Sequence, residues 1–295
     1  MPVLTHITMQ PASRAAIYAI IAALMFAIMG LAVRYASTSL GTEMIVFLRT
    51  SLGLLVLLPW LLRHEGWRHL HTRRLPEHLF RAVTGLSAMY CFFYALAHLQ
   101  LAEAIILNYS SPLFIAVFAL IWLGERASRM LIVALLVGFA GVGLIVKPGD
   151  GVWSLAALVG LASGMLAALA MVGIRRLSST EPTRRIVFYF SFLATLISGV
   201  PVIWAWQTPS LPVFLAMAGA GICATCGQLL LTKSYSMVVA ARVGPYTYSS
   251  VIFAALFGWL LYSETPDLAS FAGAILIVSA GILTLRSGNA VRLGS

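Results

Sequence analysis

The chain has 295 residues, of which 61% are hydrophobic and only 9% are charged. Soluble domains carry charge on roughly a quarter of their residues, so this composition excludes a soluble globular protein and makes lipid the expected medium. A net charge of +10 would suit a nucleic-acid partner if it formed one patch. The basic residues are instead spread over six polar segments, which argues against nucleic-acid binding.

Ten apolar segments follow one another along the chain, each close to the roughly 20 residues that a transmembrane helix needs. Turn-forming residues mark most breaks, whereas the breaks at 99–101 and 235–239 are weak. The sequence therefore predicts an all-α polytopic membrane protein of ten transmembrane helices, with a retained first span and no separate soluble domain. The expected spans are 14–36, 43–62, 78–98, 102–123, 130–147, 152–174, 185–206, 211–234, 240–262 and 268–286.

The basic residues predict the orientation of these spans. With the N-terminus in the cytoplasm, sixteen of the 19 basic residues fall in cytoplasmic segments. Arg34 and Lys147 fall on the far side, and Arg49 lies within the second span. Because positively charged loops resist translocation, this bias predicts a multi-pass protein of a bacterial inner membrane with both termini in the cytoplasm.

The sequence also resembles itself at an offset of 139 residues. Residues 108–114 align with 247–253, and Glu125 aligns with Glu264. Two five-span repeats, 14–147 and 152–286, are therefore expected. Since five is odd, the second repeat enters the membrane inverted. Inverted repeats are typical of secondary transporters, whose substrate binds near mid-membrane between the halves.

These repeats carry the residues of a known family. The first contains Ala102-Glu103-Ala104, Ser111-Pro112-Leu113-Phe114 and Leu123-Gly124-Glu125-Arg126, and the second contains Pro245, Tyr248 and Ser263-Glu264. This pattern resembles the EamA family of the drug/metabolite transporter superfamily, although Ser263 stands where the family has Gly. The resemblance implies ten helices around a central cavity, lined mainly by spans 1, 3, 4, 6, 8 and 9. It also implies transport of amino acids, metallophores, S-adenosylmethionine or riboflavin, often as export.

Charged side chains within spans are the first candidates for function, because each needs a partner or a wet cavity. Arg49 and Glu103 approach the membrane from the same side, so we expect them to form a structural charge pair. Lys233 and Arg242 lie near the cytoplasmic ends of spans 8 and 9, either as headgroup anchors or as contacts for a substrate carboxylate. Arg242, Tyr246 and Ser249 share one helical face, which favours the cavity.

Other polar side chains in the spans could also line a cavity. Tyr90, Tyr94 and His98 lie in span 3, although Tyr94 and His98 could equally form an interfacial belt. Asn108 and Ser111 in span 4, and Gln228 in span 8, could contact substrate or bond a neighbouring helix. The sequence indicates no metal site, no cofactor, no nucleotide-binding loop and no catalytic set.

Together these features predict a secondary transporter of a small molecule that works by alternating access. From the resemblance we expect export of an amino acid or an amino-acid-derived compound such as a metallophore. Tyrosines beside cations would suit a zwitterionic or anionic solute. The alternatives are import of a vitamin or nucleoside-like metabolite, of the riboflavin or S-adenosylmethionine type, and, in another class, a membrane-embedded enzyme. Substrate, direction, coupling ion and the choice between monomer and homodimer stay open.

Overall fold

The described part of the chain consists of helices joined by short connections. A computed structural model describes residues 11–64, 71–123, 129–146, 155–177, 180–237 and 246–290. Long apolar runs without the alternating pattern of β-strands favour helices. In lipid, the backbone N–H and C=O groups must also find hydrogen-bond partners within each segment. The helices are α1 (Pro11–Ala36), α2 (Thr42–His64), α3 (Leu75–His98), α4 (Leu101–Asn108), α5 (Ser111–Leu123), α6 (Arg129–Val146), α7 (Leu155–Leu177), α8 (Thr183–Ala205), α9 (Leu211–Met237), α10 (Ser249–Tyr262) and α11 (Leu268–Ala290).

The lengths of these helices match a lipid bilayer. By length and composition, α1, α2, α3, α7, α8 and α9 can each cross a membrane, and four shorter apolar helical segments accompany them. Large apolar side chains point outward, among them Leu55, Leu136 and Ile203, which are 62%, 68% and 80% exposed. An apolar surface on this scale requires hydrocarbon as its surroundings. The predicted all-α polytopic membrane fold is confirmed.

The most extensive helix packing joins α1 with α9, α3 with α7, and α6 with α11. α2 packs about equally against α8 and α9. The largest buried cluster among the described residues lies between α1, α2, α3, α4, α8, α9 and α10, and it includes Met44, Phe93 and Met217. Between α6 and α11 the backbones almost touch. A Cβ on Gly141 would lie 2.7 Å from the carbonyl oxygen of Gly273. Small residues thus allow the close approach on which helix association in lipid depends.

The predicted fourth span is not one helix. α4 ends at Asn108, and α5 begins at Ser111 after a turn at Tyr109 and Ser110. Pro112 lacks the N–H that would bond the carbonyl of Asn108, and its ring crowds that carbonyl. The ninth span is also interrupted, because a turn at Tyr248 separates helical Tyr246–Thr247 from α10. Both spans therefore break at aligned positions.

The end of α10 shows what the substitution at Ser263 does. Ser263 adopts the left-handed conformation with φ of 54°, a region that favours Gly. The N–H groups of Ser263 and Glu264 both donate to the carbonyl of Gly258 and close the helix end. Ser263 thus ends the helix in the same conformation that a Gly would adopt. In the connection to α11 that follows, the Glu264 side chain points back towards Gly258.

Candidate transport site

The two interrupted spans meet at a pair of tyrosines. The ring centroids of Tyr109 and Tyr248 lie 5.8 Å apart, and the Tyr248 hydroxyl donates to the Tyr109 carbonyl at 3.4 Å. Gly281 leaves room for the Tyr248 ring, since a Cβ there would overlap it. Neither tyrosine was predicted as a site residue. The repeat offset of 139 residues, which joins these two positions, was the signal that could have identified them.

Asn108 and Ser111 stand on either side of the break between α4 and α5. The Asn108 side-chain amide donates to the Ser163 hydroxyl of α7 at 3.0 Å, so this side chain bonds a neighbouring helix. Ser111 is half-buried at the start of α5. Gly164 of α7 faces the break so closely that a Cβ would lie 2.7 Å from the carbonyl oxygen of Leu107. These contacts hold the break against α7.

Two residues of the polar face predicted for span 9, Tyr246 and Ser249, lie on either side of its turn. Ser249 begins α10, and its hydroxyl donates back to the carbonyl of Tyr246 at 2.6 Å. Tyr246 is 43% exposed. Tyr248 keeps right-handed helical dihedral angles, so Tyr246 and Ser249 stay about one helical turn apart across the turn. Arg242 lies outside the described residues.

Three predicted residues lie on α3 in different surroundings. The Tyr90 hydroxyl is buried without a hydrogen-bond partner in the described part of the chain. Tyr94 stacks on His98 at 4.2 Å, and the His98 Nδ1 bonds the Tyr94 carbonyl at 2.8 Å. His98 is exposed at the end of the helix. This arrangement is compatible with the interfacial belt, and Tyr90 is the residue of the three whose hydroxyl is buried.

On α9 the predicted residues differ in exposure. Gln228 is half-buried and Lys233 is exposed, and each has an interaction partner. Nearby, the Thr225 hydroxyl lies 3.3 Å from the carbonyl of Gly53 and 2.9 Å from that of Gly221. The polar stripe of this helix therefore contacts α2 at Thr225. Because Lys233 is exposed, it fits the role of an anchor to lipid headgroups better than that of a contact for a substrate carboxylate in the interior.

The structure does not bring Arg49 and Glu103 together. Glu103 accepts a hydrogen bond of 2.5 Å from the Ser270 hydroxyl of α11. Arg49 is only 7% exposed, and its Nε has no hydrogen-bond partner in the described residues. The expected pair was based on depth in the membrane alone. Helix packing instead directs the start of α4 towards α11 and Arg49 into the interior beside α3 and α8.

Arg34 forms an ion pair at this end of the bundle. It pairs with Glu264, and its guanidinium donates to the carbonyl of Leu99 and lies 4.9 Å from the Tyr262 ring. Glu264 also accepts from the backbone N–H of Leu101 at 2.9 Å. One carboxylate thus joins α1, the α3–α4 connection and the α10–α11 connection. We call this group the Glu264 network.

A second polar group closes the opposite end of the bundle. Glu181 accepts from Thr72 at 2.7 Å and from Arg185 at 2.5 Å. Burial raises the pKa of Glu181, but the hydrogen bonds from Thr72 and Arg185, with the charges of Arg185 and His78, outweigh burial and lower this pKa overall. His78 stacks on Tyr189 at 4.5 Å beside it. This Glu181 network ties the α2–α3 connection to the start of α8.

Arg81 is an interior charge that sequence reasoning placed among the cytoplasmic basic residues. It lies within α3, is 8% exposed, and holds its guanidinium 4.2 Å from the Phe190 ring of α8. Gly85 makes this possible, since a Cβ there would overlap the guanidinium. A cation–π contact of this kind is worth about 0.5–2 kcal/mol, less than burial of a charge costs. The spacing of Arg81 and Gly85, one helical turn apart, was the available signal.

These groups can bind and orient a solute within a membrane-embedded bundle. The described residues hold no group of three metal-ligating side chains. Two polar networks at opposite ends, interrupted helices where the spans cross and charges between helices are features of membrane transporters. The fold and site thus define the class of protein, a polytopic membrane transporter.

Comparison with known proteins agrees with this class. The EamA-like transporter family matches residues 13–147 and again residues 154–286. The chain therefore belongs to the EamA-like transporter family, whose members are transporters and not enzymes. The pseudopaline exporter CntI of Pseudomonas aeruginosa is 38% identical over 272 residues, which cover 91% of this chain and 95% of that protein.

More distant relatives are named for other substrates. A riboflavin transporter of Vibrio cholerae is 27% identical, with 89% of this chain and 90% of that protein covered. An S-adenosylmethionine uptake transporter of Rickettsia bellii is 25% identical, with coverage of 86% and 87%. A solved crystal structure that is 21% identical superposes with a TM-score of 0.64 over 96% of this chain and 99% of its own, which shows the shared fold. The chain is thus a multi-pass transporter of small molecules in a bacterial inner membrane.

Proposed function

We propose that this transporter exports an amino acid or an amino-acid-derived compound, such as a metallophore. The observation that carries the proposal is the similarity to the pseudopaline exporter, at 38% identity over nearly the full length of both chains. The identity to the vitamin and S-adenosylmethionine transporters is much lower, at 27% and 25%. Buried arginines and tyrosines between the helices are the chemistry that a zwitterionic or anionic solute requires.

We further propose that transport proceeds by alternating access between two inverted halves, 14–147 and 152–286. In support, α1 is equivalent to α7 and α3 is equivalent to α9 in the two halves. The contact of α1 with α9 therefore has its counterpart in the contact of α7 with α3. The pairs α2–α8 and α6–α11 each join equivalent helices. Tyr109 and Tyr248 stand at aligned positions and contact each other. Pairing of equivalent parts across a shared axis is the arrangement of inverted repeats.

In this proposal both termini face the cytoplasm, and the two networks face opposite compartments. The Glu264 network then faces outward and the Glu181 network faces inward, as the basic-residue bias requires. Opening either end requires its network to part, so a solute has access from one side at a time. One chain carries both halves, so a monomer is sufficient as the transport unit, and a homodimer would contain two such units.

Metabolite profiling tests the proposal most directly. Cells that express the chain should deplete one amino-acid-derived solute from the cytoplasm and accumulate it in the medium, compared with cells lacking the chain. Cells expressing Gly219→Ala serve as a control, because a Cβ at Gly219 meets nothing within 4 Å. The purified protein in proteoliposomes should then transport that solute without another subunit. Identical profiles with and without the chain would contradict the proposal.

The second candidate is import of a vitamin or nucleoside-like metabolite. Relatives named as a riboflavin transporter and an S-adenosylmethionine uptake transporter favour it. The two candidates differ in direction and in substrate. Uptake of labelled riboflavin or S-adenosylmethionine by intact cells, dependent on this chain, would establish the second candidate in place of export.

A further inference from the structure

Two arginines in the interior of the bundle have buried donor groups without an acceptor among the described residues. Arg49 of α2 is 7% exposed and Arg81 of α3 is 8% exposed. In the described part of the chain, Nε of Arg49 and both Nε and Nη1 of Arg81 are buried without a partner. Buried charges are otherwise paired or bound to an ion, because desolvation of an isolated charge is expensive. The unused donors therefore point to an anion that is not part of the protein.

The surroundings of the two arginines strengthen this inference. No carboxylate of the described residues acts electrostatically on either guanidinium, whereas Arg49 does act on Arg81. Two like charges in a low-dielectric interior repel each other. An oxyanion near both would relieve the repulsion and satisfy the free donors in one step.

The position of Arg81 is built into the fold. Its guanidinium lies over Gly85, where any larger residue would displace it, and against the ring of Phe190. Thr50 of α2, the neighbour of Arg49, bonds Ser198 of α8 at 3.2 Å. Arg81 of α3 thus lies against α8, and α8 also bonds α2 at the residue next to Arg49. A headgroup phosphate of a lipid does not reach side chains enclosed in this way, so the anion is a solute.

We propose that Arg49 and Arg81 bind a carboxylate of the transported solute, which makes the substrate class an organic acid or an amino-acid derivative with a free carboxylate. The planar guanidinium donates two parallel hydrogen bonds to a carboxylate, and two arginines suit a solute with more than one carboxylate. This proposal rests on the proposed function, because it assumes that the solute bound here is the one transported.

The test uses the purified full chain in lipid nanodiscs and follows its thermal unfolding. The probes are glutamate, citrate and inorganic sulfate, each compared with chloride at equal ionic strength. We expect glutamate or citrate to raise the unfolding temperature of the wild type. Arg49→Gln, Arg81→Gln and Gly85→Ala should each raise the half-saturating concentration about tenfold or more, because each removes or displaces charge-assisted hydrogen bonds. Arg14→Gln, at an exposed position of α1, should leave it unchanged.

The unfolding temperature of the anion-free protein is a second measurement. A purely structural role of the two arginines would change it in the opposite direction from a binding role. Without added anion, Arg49→Gln and Arg81→Gln should unfold at a higher temperature than the wild type, because an unpaired buried charge is removed. A lower unfolding temperature in both variants would show that the arginines support the fold, and it would overturn the proposal.

The remaining outcomes separate the binding site from the proposed function. A response to sulfate alone, a carboxylate response equal in wild type and variants, or no response to any probe would each overturn the site. Transport of a carboxylate solute by the Arg49→Gln/Arg81→Gln double variant at the wild-type rate would overturn it as well. An arginine-dependent carboxylate response without transport in proteoliposomes would support the site and refute the transport function instead.

Discussion

Two glycines in this protein make room for charged side chains. Gly85 lies under the guanidinium of Arg81, and Gly258 lies beside the carboxylate of Glu264. In helices within lipid, glycine usually serves the approach of another helix. Here the space beside each glycine is instead occupied by a charged side chain. Even a single added methyl group at either position should therefore displace that side chain.

Gly258→Ala should weaken the Glu264 network. The new Cβ would lie 2.7 Å from Oε2 of Glu264, so the carboxylate must move away from Arg34 and Leu101. We expect a loss of about 1–3 kcal/mol in the free energy of unfolding, the usual value of hydrogen bonds to charged groups. Thermal unfolding in detergent measures it. Gly219→Ala is the control and should gain about 0.5–1 kcal/mol; an equal gain from Gly258→Ala would contradict the prediction.

Glu181 gives the opposite network a dependence on pH. Its pKa is lowered in the folded protein, because the hydrogen bonds from Thr72 and Arg185 outweigh burial. Its stabilising contribution is therefore present above the unfolded pKa of about 4.3 and is lost as the pH falls through the lower folded pKa. At neutral pH, the free energy of unfolding of Glu181→Gln should be about 1–2 kcal/mol lower than that of the wild type. The difference should shrink below about pH 4, and a difference independent of pH would refute this account.

At the scale of the helices, Pro112 and Pro245 each remove a helical hydrogen bond and so can kink spans 4 and 9, but the sequence does not locate the interruptions at Tyr109 and Tyr248. Span boundaries follow from apolar length, and the predicted edges agree with the described helices to within a few residues. A break inside a span depends on distant packing. Val251 occupies the position aligned with Pro112, yet the second span also breaks, at Tyr248. The proline of the second span, Pro245, instead lies three residues before Tyr248. The contact between Tyr109 and Tyr248 accompanies both breaks.

Pro112→Ala tests the role of the first break. Alanine supplies the N–H that can bond the carbonyl of Asn108 and join α4 to α5. We expect stability to change by less than about 1 kcal/mol, because proline is well tolerated in the first helical turn. Transport in proteoliposomes should fall several-fold, since the junction at Tyr109 becomes regular helix. Pro201→Ala, inside the continuous α8, is the control and should transport normally. Wild-type transport by Pro112→Ala would remove the break from the mechanism.

The candidate site was harder to predict than the fold, and particular residues show why. Arg49 was recognised as an interior charge, but its expected partner Glu103 bonds Ser270 instead. The depth of a residue follows from its place in a span. Its neighbours depend on helix rotation and pairing, which the sequence does not encode locally. Arg81 was missed because its charge alone resembles that of a cytoplasmic loop.

At the scale of the whole molecule, the orientation can be tested with single cysteines. In a chain whose Cys91, Cys223 and Cys226 are changed to Ala, Thr38→Cys and Ser210→Cys should react with an impermeant maleimide on intact cells. Thr180→Cys should react only after the membrane is opened. The connections at 37–41 and 206–210 lie on one side of the bundle, and the connection at 180–182 lies on the other. Labelling of all three on intact cells would contradict the proposed topology.

Arg49 and Arg81 face no carboxylate among the described residues, so in the proposed carrier they should also make transport sensitive to voltage. An unloaded carrier would be positive at its centre, and a dianionic solute would make it neutral. A membrane potential is worth about 2.3 kcal/mol per charge for each 100 mV. A negative interior would draw the unloaded form inward and leave the loaded form unaffected, so the potential itself would drive efflux without a proton. Potassium gradients with valinomycin in proteoliposomes should therefore change the export rate of wild type more than that of Arg49→Gln.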